Sequence, residues 1–217
     1  MGKIIEKELN EIKDKLLRIG AMVESQLDRS VKSLVDRDTE LANLVINSDH
    51  EVNRLEVEID EDCIRFLALR QPEAGDLRFV TTAMKIVTDL ERMGDLAVDI
   101  SERALELNEE PILKPYIDIP RMARAASDML RQSLDAFVSK DSDAAWKVLD
   151  ADDFVDDLNK QIFRELLSFM IEDPHTISRA IRISYISKYL ERIADHATNI
   201  AEMVVYLVEG KMIRHLN

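Results

Sequence analysis

Asp89-Leu90-Glu91-Arg92-Met93-Gly94-Asp95-Leu96-Ala97-Val98-Asp99-Ile100 occurs a second time in this chain. Leu190-Glu191-Arg192-Ile193-Ala194-Asp195-His196-Ala197-Thr198-Asn199-Ile200 repeats its Leu-Glu-Arg, the Asp four residues after the Glu, and its Ala and Ile. The copies lie 100 residues apart in a chain of 217. Self-similarity at nearly half the chain length marks a protein built twice from one unit.

The phase of the flanking residues supports this. Ala83, Ile86, Leu90, Met93, Ala97, Ile100, Ala104 and Leu107 alternate at three- and four-residue steps, the period of a helix with one buried stripe. Ile183, Ile186, Leu190, Ile193, Ala197, Ile200, Val204 and Leu207 are the same positions in the second copy.

Outward from these two helices the plan is the same in each half. A stripe from Leu9 to Leu34 predicts a helix over 4–35, and Asp36-Arg37-Asp38-Thr39 ends it and supplies a capping side chain. A second helix is expected over about 39–70. Gln71-Pro72-Glu73-Ala74-Gly75 stops it, and a third runs from about 76 to 107. Residues 108–116, with Pro111 and Pro115, form the longest break. Helices four to six follow over about 119–138, up to 171, and 177–209, with breaks at Ser139-Lys140-Asp141-Ser142 and Asp173-Pro174-His175-Thr176. Gly210 closes the last one. Helices of about 30 residues extend about 45 Å, and short turns make neighbours antiparallel. The expected fold is all-α, a tandem pseudo-symmetric repeat of two antiparallel three-helix bundles, one over 1–110 and one over 117–217.

Composition agrees. Hydrophobic residues make up 46 %, enough for a core, while five Gly and five Pro leave few places to turn. The net charge of −14 repels nucleic acid and anionic lipid and suits cations or basic partners. The single Cys63 excludes an intrachain disulfide and reads as a small packing residue. The N-terminal Met1-Gly2-Lys3-Ile4-Ile5-Glu6 lacks the apolar run of a signal peptide, and no segment is long and apolar enough to span a bilayer, so a cytoplasmic location is expected.

The repeated stretch also carries chemistry. Glu91, Asp95 and Asp99 fall at i, i+4 and i+8, one row on a helix, drifting by about 80° because four residues exceed one turn. The row lies off the apolar stripe and is expected to face solvent or another molecule. Its copy is Glu191, Asp195 and Asn199. Like charges four apart destabilise a helix by a few tenths of a kcal/mol per pair, and a divalent cation would offset that. An all-oxygen donor set suits Mg, Ca, Mn or Fe. The neighbouring helix offers Asp49, Asn53, Glu56 or Asp60 in the first half and Asp152, Asp153, Asp156 or Asp157 in the second. The competing reading is a solvated acidic face. Arg92 and Arg192 are expected to pair with carboxylates of a neighbouring helix. His196, whose twin is Leu96, at most steadies Asp195.

Catalytic signatures are missing. No Gly-x-Ser-x-Gly, Cys/His pair or helical His-Glu-x-x-His occurs, and Gly94 and Ala194 stand where a ferritin-like Glu-x-x-His would need histidine. A non-enzyme is expected.

Over nearly its whole length the chain resembles the PhoU family of phosphate-uptake regulators. The most specific runs are Arg70-Gln71-Pro72-Glu73-Ala74-Gly75-Asp76-Leu77-Arg78-Phe79, the two acidic stretches, and Tyr206-Leu207-Val208-Glu209-Gly210-Lys211. The resemblance implies a tandem of three-helix bundles, often dimeric, whose acidic motifs hold metal ions at Glu91, Asp95 and Asp99 and at Glu191, Asp195 and Asn199. It implies an adaptor that damps phosphate uptake and signalling by linking the ATPase subunit of the phosphate ABC transporter to a histidine kinase, touching the membrane only peripherally. Ala194 replaces a glycine common in the family, and Asn199 for Asp99 implies weaker metal holding in the second copy. Metal storage, a metal-dependent enzyme and a structural dimerisation module are the alternatives.

Overall fold

The computed structural model describes residues 2–211. Six long helices follow one another: α1 (Gly2–Val35), α2 (Thr39–Leu69), α3 (Ala74–Asn108), α4 (Asp118–Ser139), α5 (Ser142–Glu172) and α6 (Ile177–Glu209). A 3-10 turn over Pro174–Thr176 precedes α6. No strand occurs among the described residues.

The turns of the two halves close the same way. Arg37 and Lys140 take the left-handed conformation, with φ of 56° and 53°. One residue later the amide of Asp38 donates to Ser33 O at 2.9 Å, and that of Asp141 to Ala136 O at 3.0 Å. These bonds occupy carbonyls that a helix end leaves unsatisfied. Each Asp then caps the next helix, with Asp38 Oδ1 accepting from the Leu41 amide at 2.9 Å and Asp141 Oδ1 from the Ala144 amide at 3.0 Å. The break after α2 is shorter than its sequence suggests. Pro72 stops α2, but Gly75 already lies in the first turn of α3.

Within each half all three helices pack together, and α1 also packs on α4 and α3 on α6. The apolar stripes consequently merge into one continuous core. Leu90, Ile100, Leu190 and Ile200 are all fully buried. Phe79 of α3 stacks on Phe137 of α4, with ring centroids 5.1 Å apart. Where α1 meets α4 the approach is close enough that a Cβ on Gly20 would lie 2.2 Å from Leu134 Cδ1. The connector is pinned as well. Arg182 reaches both Glu106 and Glu110 at 2.6 Å, Arg37 donates to Glu110 O at 2.8 Å, and Arg179 donates to Pro111 O at 2.9 Å.

A shared core predicts one cooperative unfolding transition that a change in either half moves. Asp38→Ala and Asp141→Ala should each lower stability by about 1 kcal/mol, and the double variant by about 2 kcal/mol, since the caps are remote from each other. Urea unfolding followed by circular dichroism checks this; two separate transitions would refute the shared core.

Candidate metal centre

In the first half Glu91 and Asp95 of α3 face Asp49 and Glu56 of α2 across the α2–α3 groove. In the second half Glu191 and Asp195 of α6 face Asp152 and Asp156 of α5. The row is not the free, solvent-facing row expected: Glu91, Asp95 and Glu191 are half-buried. Gly94 draws α3 close to its neighbours, since a Cβ there would lie 3.3 Å from Gln26 Oε1 and 3.5 Å from Asp49 Oδ1. Ala194 holds the matching place in α6.

Crowding acids into a groove shifts their protonation. Burial first, and Asp95 next, push Glu91 above the ordinary carboxylate range. Asp49 rises mainly through burial, against the amide of Asn53, which donates to Asp49 Oδ2 at 2.8 Å. Asp195 rises through burial and the charge of Glu191. Asp152 is pushed furthest, to about 6, by burial and then by Asp195 and Asp156. Asp49 Oδ1 and Asp152 Oδ1 are buried without a hydrogen-bond partner, while Glu191 Oε2 takes the Lys188 ammonium. Asp60 adds another such oxygen lower on α2.

Several nearby cations relieve the grooves in part. Arg92 lies 3.4 Å from both Glu91 and Asp95, so it pairs along its own helix, not with a neighbour. Lys188 pairs with Glu191, and Lys160 sits 3.8 Å from Asp156. The remaining α5 candidates, Asp153 and Asp157, are exposed, and Asp157 pairs with Lys160 at 3.3 Å.

The third member of each row belongs elsewhere. Helical drift carries Asp99 and Asn199 to the α3–α6 seam. Asn199 donates to Asp89 Oδ1 at 3.3 Å, and His196 Nδ1 lies 2.7 Å from the same oxygen. Asp99 feels the charge of Arg192 across the seam and raises the pKa of Tyr189. His196 thus bridges the halves through Asp89, a role hidden in sequence because its partner is 107 residues away. Both grooves consequently hold four acids without counting Asp99 or Asn199.

Cys63 is fully buried, and burial drives its thiol up to about 12, as suits a packing residue. No helix among the described residues is long and apolar enough to cross a membrane.

The PhoU domain model matches residues 16–104 and again 119–204. The chain belongs to the PhoU family. It is 45 % identical over 209 residues to the phosphate-specific transport system accessory protein PhoU homolog of Aquifex aeolicus, spanning 96 % of this chain and 95 % of that one. It is 37 % identical over 209 residues to the Escherichia coli K12 phosphate-specific transport system accessory protein PhoU, spanning 96 % and 87 %. The crystal structure of PhoU from Pseudomonas aeruginosa superimposes with a TM-score of 0.91 at 42 % identity, covering 95 % of this chain and 99 % of that one. The phosphate transport system regulatory protein PhoU from Streptococcus pneumoniae gives 0.89 at 32 % identity, covering 96 % and 99 %. This PhoU-family chain therefore shares the tandem helical architecture of those structures.

The raised pKa of Asp152 has a definite sign. Between its ordinary value of 3.8 and about 6 the folded state binds more protons than the unfolded chain. Stability consequently falls as pH rises through that window, and the full cost is present above it. Asp152→Asn should stabilise the protein by about 1–3 kcal/mol at pH 7.5 and leave it unchanged below about pH 4. Urea unfolding across that range measures it; a pH-independent difference would mean the groove does not strain this carboxylate.

Proposed function

We propose that the chain is a negative regulator of phosphate uptake and of phosphate-responsive signalling, working as a metal-binding adaptor. Its partners in this reading are the ATPase subunit of a phosphate ABC transporter and a histidine kinase, met at the cytoplasmic side of the membrane by a homodimer. Membership of a family whose members are named accessory proteins of phosphate-specific transport supports the regulatory role. The observation that supports the metal reading is the pair of matched grooves, each of which gathers four carboxylates around one inner aspartate oxygen, of Asp49 or Asp152, that is buried without a hydrogen bond.

Those oxygens fit a hard cation in donor type and charge. Asp49, Glu91 and Asp95 would hold one in the first half, and Asp152, Glu191 and Asp195 in the second. Asp99 and Asn199, committed to the α3–α6 seam, drop out of the ligand sets. Among the described residues no three acidic, imidazole or thiol groups already stand close enough to ligate one ion. Binding therefore requires side-chain movement, which exposed ends of Asp95 and Asp195 permit. A bound divalent cation supplies positive charge to the face of a protein whose net charge is −14, and so a contact for an acidic partner or an anionic headgroup. The ionisable groups of the grooves are acids with no nucleophile beside them, which favours binding over catalysis.

Protein purified without added metal should carry divalent ions on elemental analysis, and Mn²⁺ should raise its thermal midpoint by mass action. Glu91→Ala with Glu191→Ala should lose the ions, the Mn²⁺ effect and the chelator-sensitive retention of partners in a pull-down from phosphate-replete cells. Unchanged metal content and partner retention in that variant would rule out the metal bridge. Metal-free wild-type protein that retains its partners would identify a structural module instead.

A further inference from the structure

The duplication provides a comparison within one molecule, because each surface position has a twin in the other half. Ser187 Oγ donates to Asn159 Oδ1 at 2.8 Å and sets the antiparallel register of α5 and α6. That register sets Phe163, Leu167 and Ile171 of α5 level with Tyr185, Ile181 and Ile177 of α6, with Tyr185 at the edge of the face towards α3, where it stacks on Tyr189 at 6.3 Å. All six are exposed, Ile171 by 76 %, Phe163 by 52 % and Tyr185 by 51 %. The patch leaves on the order of 500 Å² of apolar surface open, at the upper end of what a monomer carries without using it. On the same face, towards the other end of the hairpin, lie Asp152, Asp156, Glu191 and Asp195. One continuous face thus reads acidic at one end and apolar at the other.

The first half has the acids but only part of the patch. Matched on the shared turns and on the acidic repeat, Leu167 and Ile177 have the exposed apolar twins Ile64 and Leu77, whereas Phe163 has Asp60, Ile171 has Ala68, Ile181 has Thr81 and Tyr185 has Lys85. The core positions of both halves are filled alike, so helix packing does not demand the large apolar side chains. The difference is confined to the solvent side of one half.

We propose that the α5–α6 face docks a basic amphipathic helix of a partner protein. Apolar side chains at i, i+3, i+4 and i+7 of that helix seat on Phe163, Leu167, Ile181 and Tyr185, and Lys or Arg at one end reach the Asp152–Asp195 end. Charge complementarity selects this occupant. Asp152 and Asp195 keep their charge unpaired beside Asp156 and Glu191, which Lys160 and Lys188 offset, and a second copy of net charge −14 would meet that end against overall repulsion. Docking stands apart from the metal reading, because it needs the acids in their ion-free state.

The probe is a fluorescein-labelled helical peptide of Leu and Lys with that seam and its Lys clustered at one end, titrated in EDTA by fluorescence anisotropy. A scrambled peptide of the same composition is the comparison. Phe163→Asp, Ile181→Thr and Tyr185→Lys together install the twin residues of the first half and leave net charge unchanged; Leu167→Lys is an independent single variant at the remaining residue of the seat. The seam peptide should bind wild-type protein at least tenfold more tightly than the scrambled one, and both variants should lose at least tenfold of that affinity. Asp152→Asn with Asp156→Asn should flatten its salt dependence. Equal binding of the two peptides, or unchanged affinity in both variants, overturns the proposal. So does a wild-type dimer that the triple variant converts to monomer in sedimentation, which would make a second copy the occupant. Because chelator is present throughout, failure here leaves the metal reading standing, and the converse holds too.

Discussion

The apolar seam along α3 and α6 constrains everything else in this molecule. Each of these helices packs on both partners in its own half and on the other across the middle. Leu90, Met93, Ala97 and Ile100 are fully buried, as are Leu190, Ile193, Ala197 and Ile200. A helix enclosed on so many sides cannot rotate without forcing large side chains into water. At about 1.5–3 kcal/mol for each large apolar side chain, that rotation is closed to the protein. The polar residues of α3 and of α6 are left with the seam between the two helices, a solvent strip and the groove towards α2 or α5. The acids are therefore held in the grooves by core packing, whatever their mutual repulsion.

That repulsion has only partial relief. The outer acids find Arg92, Lys188 or Lys160, all reaching in from the exposed side. The inner ones do not. Asp49 has the Asn53 amide on one oxygen and Gln26 close by, while in the second half Asp156 takes the place of Asn53 and adds a charge. Burial first, then Asp195 and Asp156, push Asp152 up to about 6, and it lacks the amide that holds its twin down. An unsatisfied buried oxygen costs on the order of 1–3 kcal/mol, and two facing grooves carry that cost in the same place. Strain maintained at matched positions in both copies is the physical ground for treating the grooves as sites.

Much of this was legible in the sequence, for a specific reason. Long helices with a strict stripe and repeated phase leave few alternatives, so the six elements and their duplication follow from periodicity alone. The groove acids Glu91, Asp95, Asp49 and Asp152 follow from spacing on two helices with a common turn. What sequence could not supply was orientation finer than one helical turn. The 40° drift per four residues moves Asp99 and Asn199 out of the groove and onto the seam. Seen only as a row, they look like one ligand set; in the fold Asn199 bonds to Asp89 across the seam and Asp99 lies in the field of Arg192. His196 and Asp89 were opaque for a different reason, since their bond joins residues 107 apart with no local signature. Gly75 failed as a break signal because the first turn of a helix tolerates glycine, and Pro72 alone suffices.

The seam also shows how the two copies parted. At matched positions, Asp89 meets His196 and Asn199, while Tyr189 lies in the field of Asp99. An imidazole and an amide share one carboxylate in the first case; a phenol stands near a carboxylate in the second. A duplicated unit that only needed to pair with itself could have kept one solution at both ends of a pseudo-twofold contact. Keeping two means that pairing two copies of the second half would place histidine against tyrosine, and pairing two copies of the first would set Asp89 against Leu96 and Asp99. The asymmetric polar pairs therefore fix which half meets which.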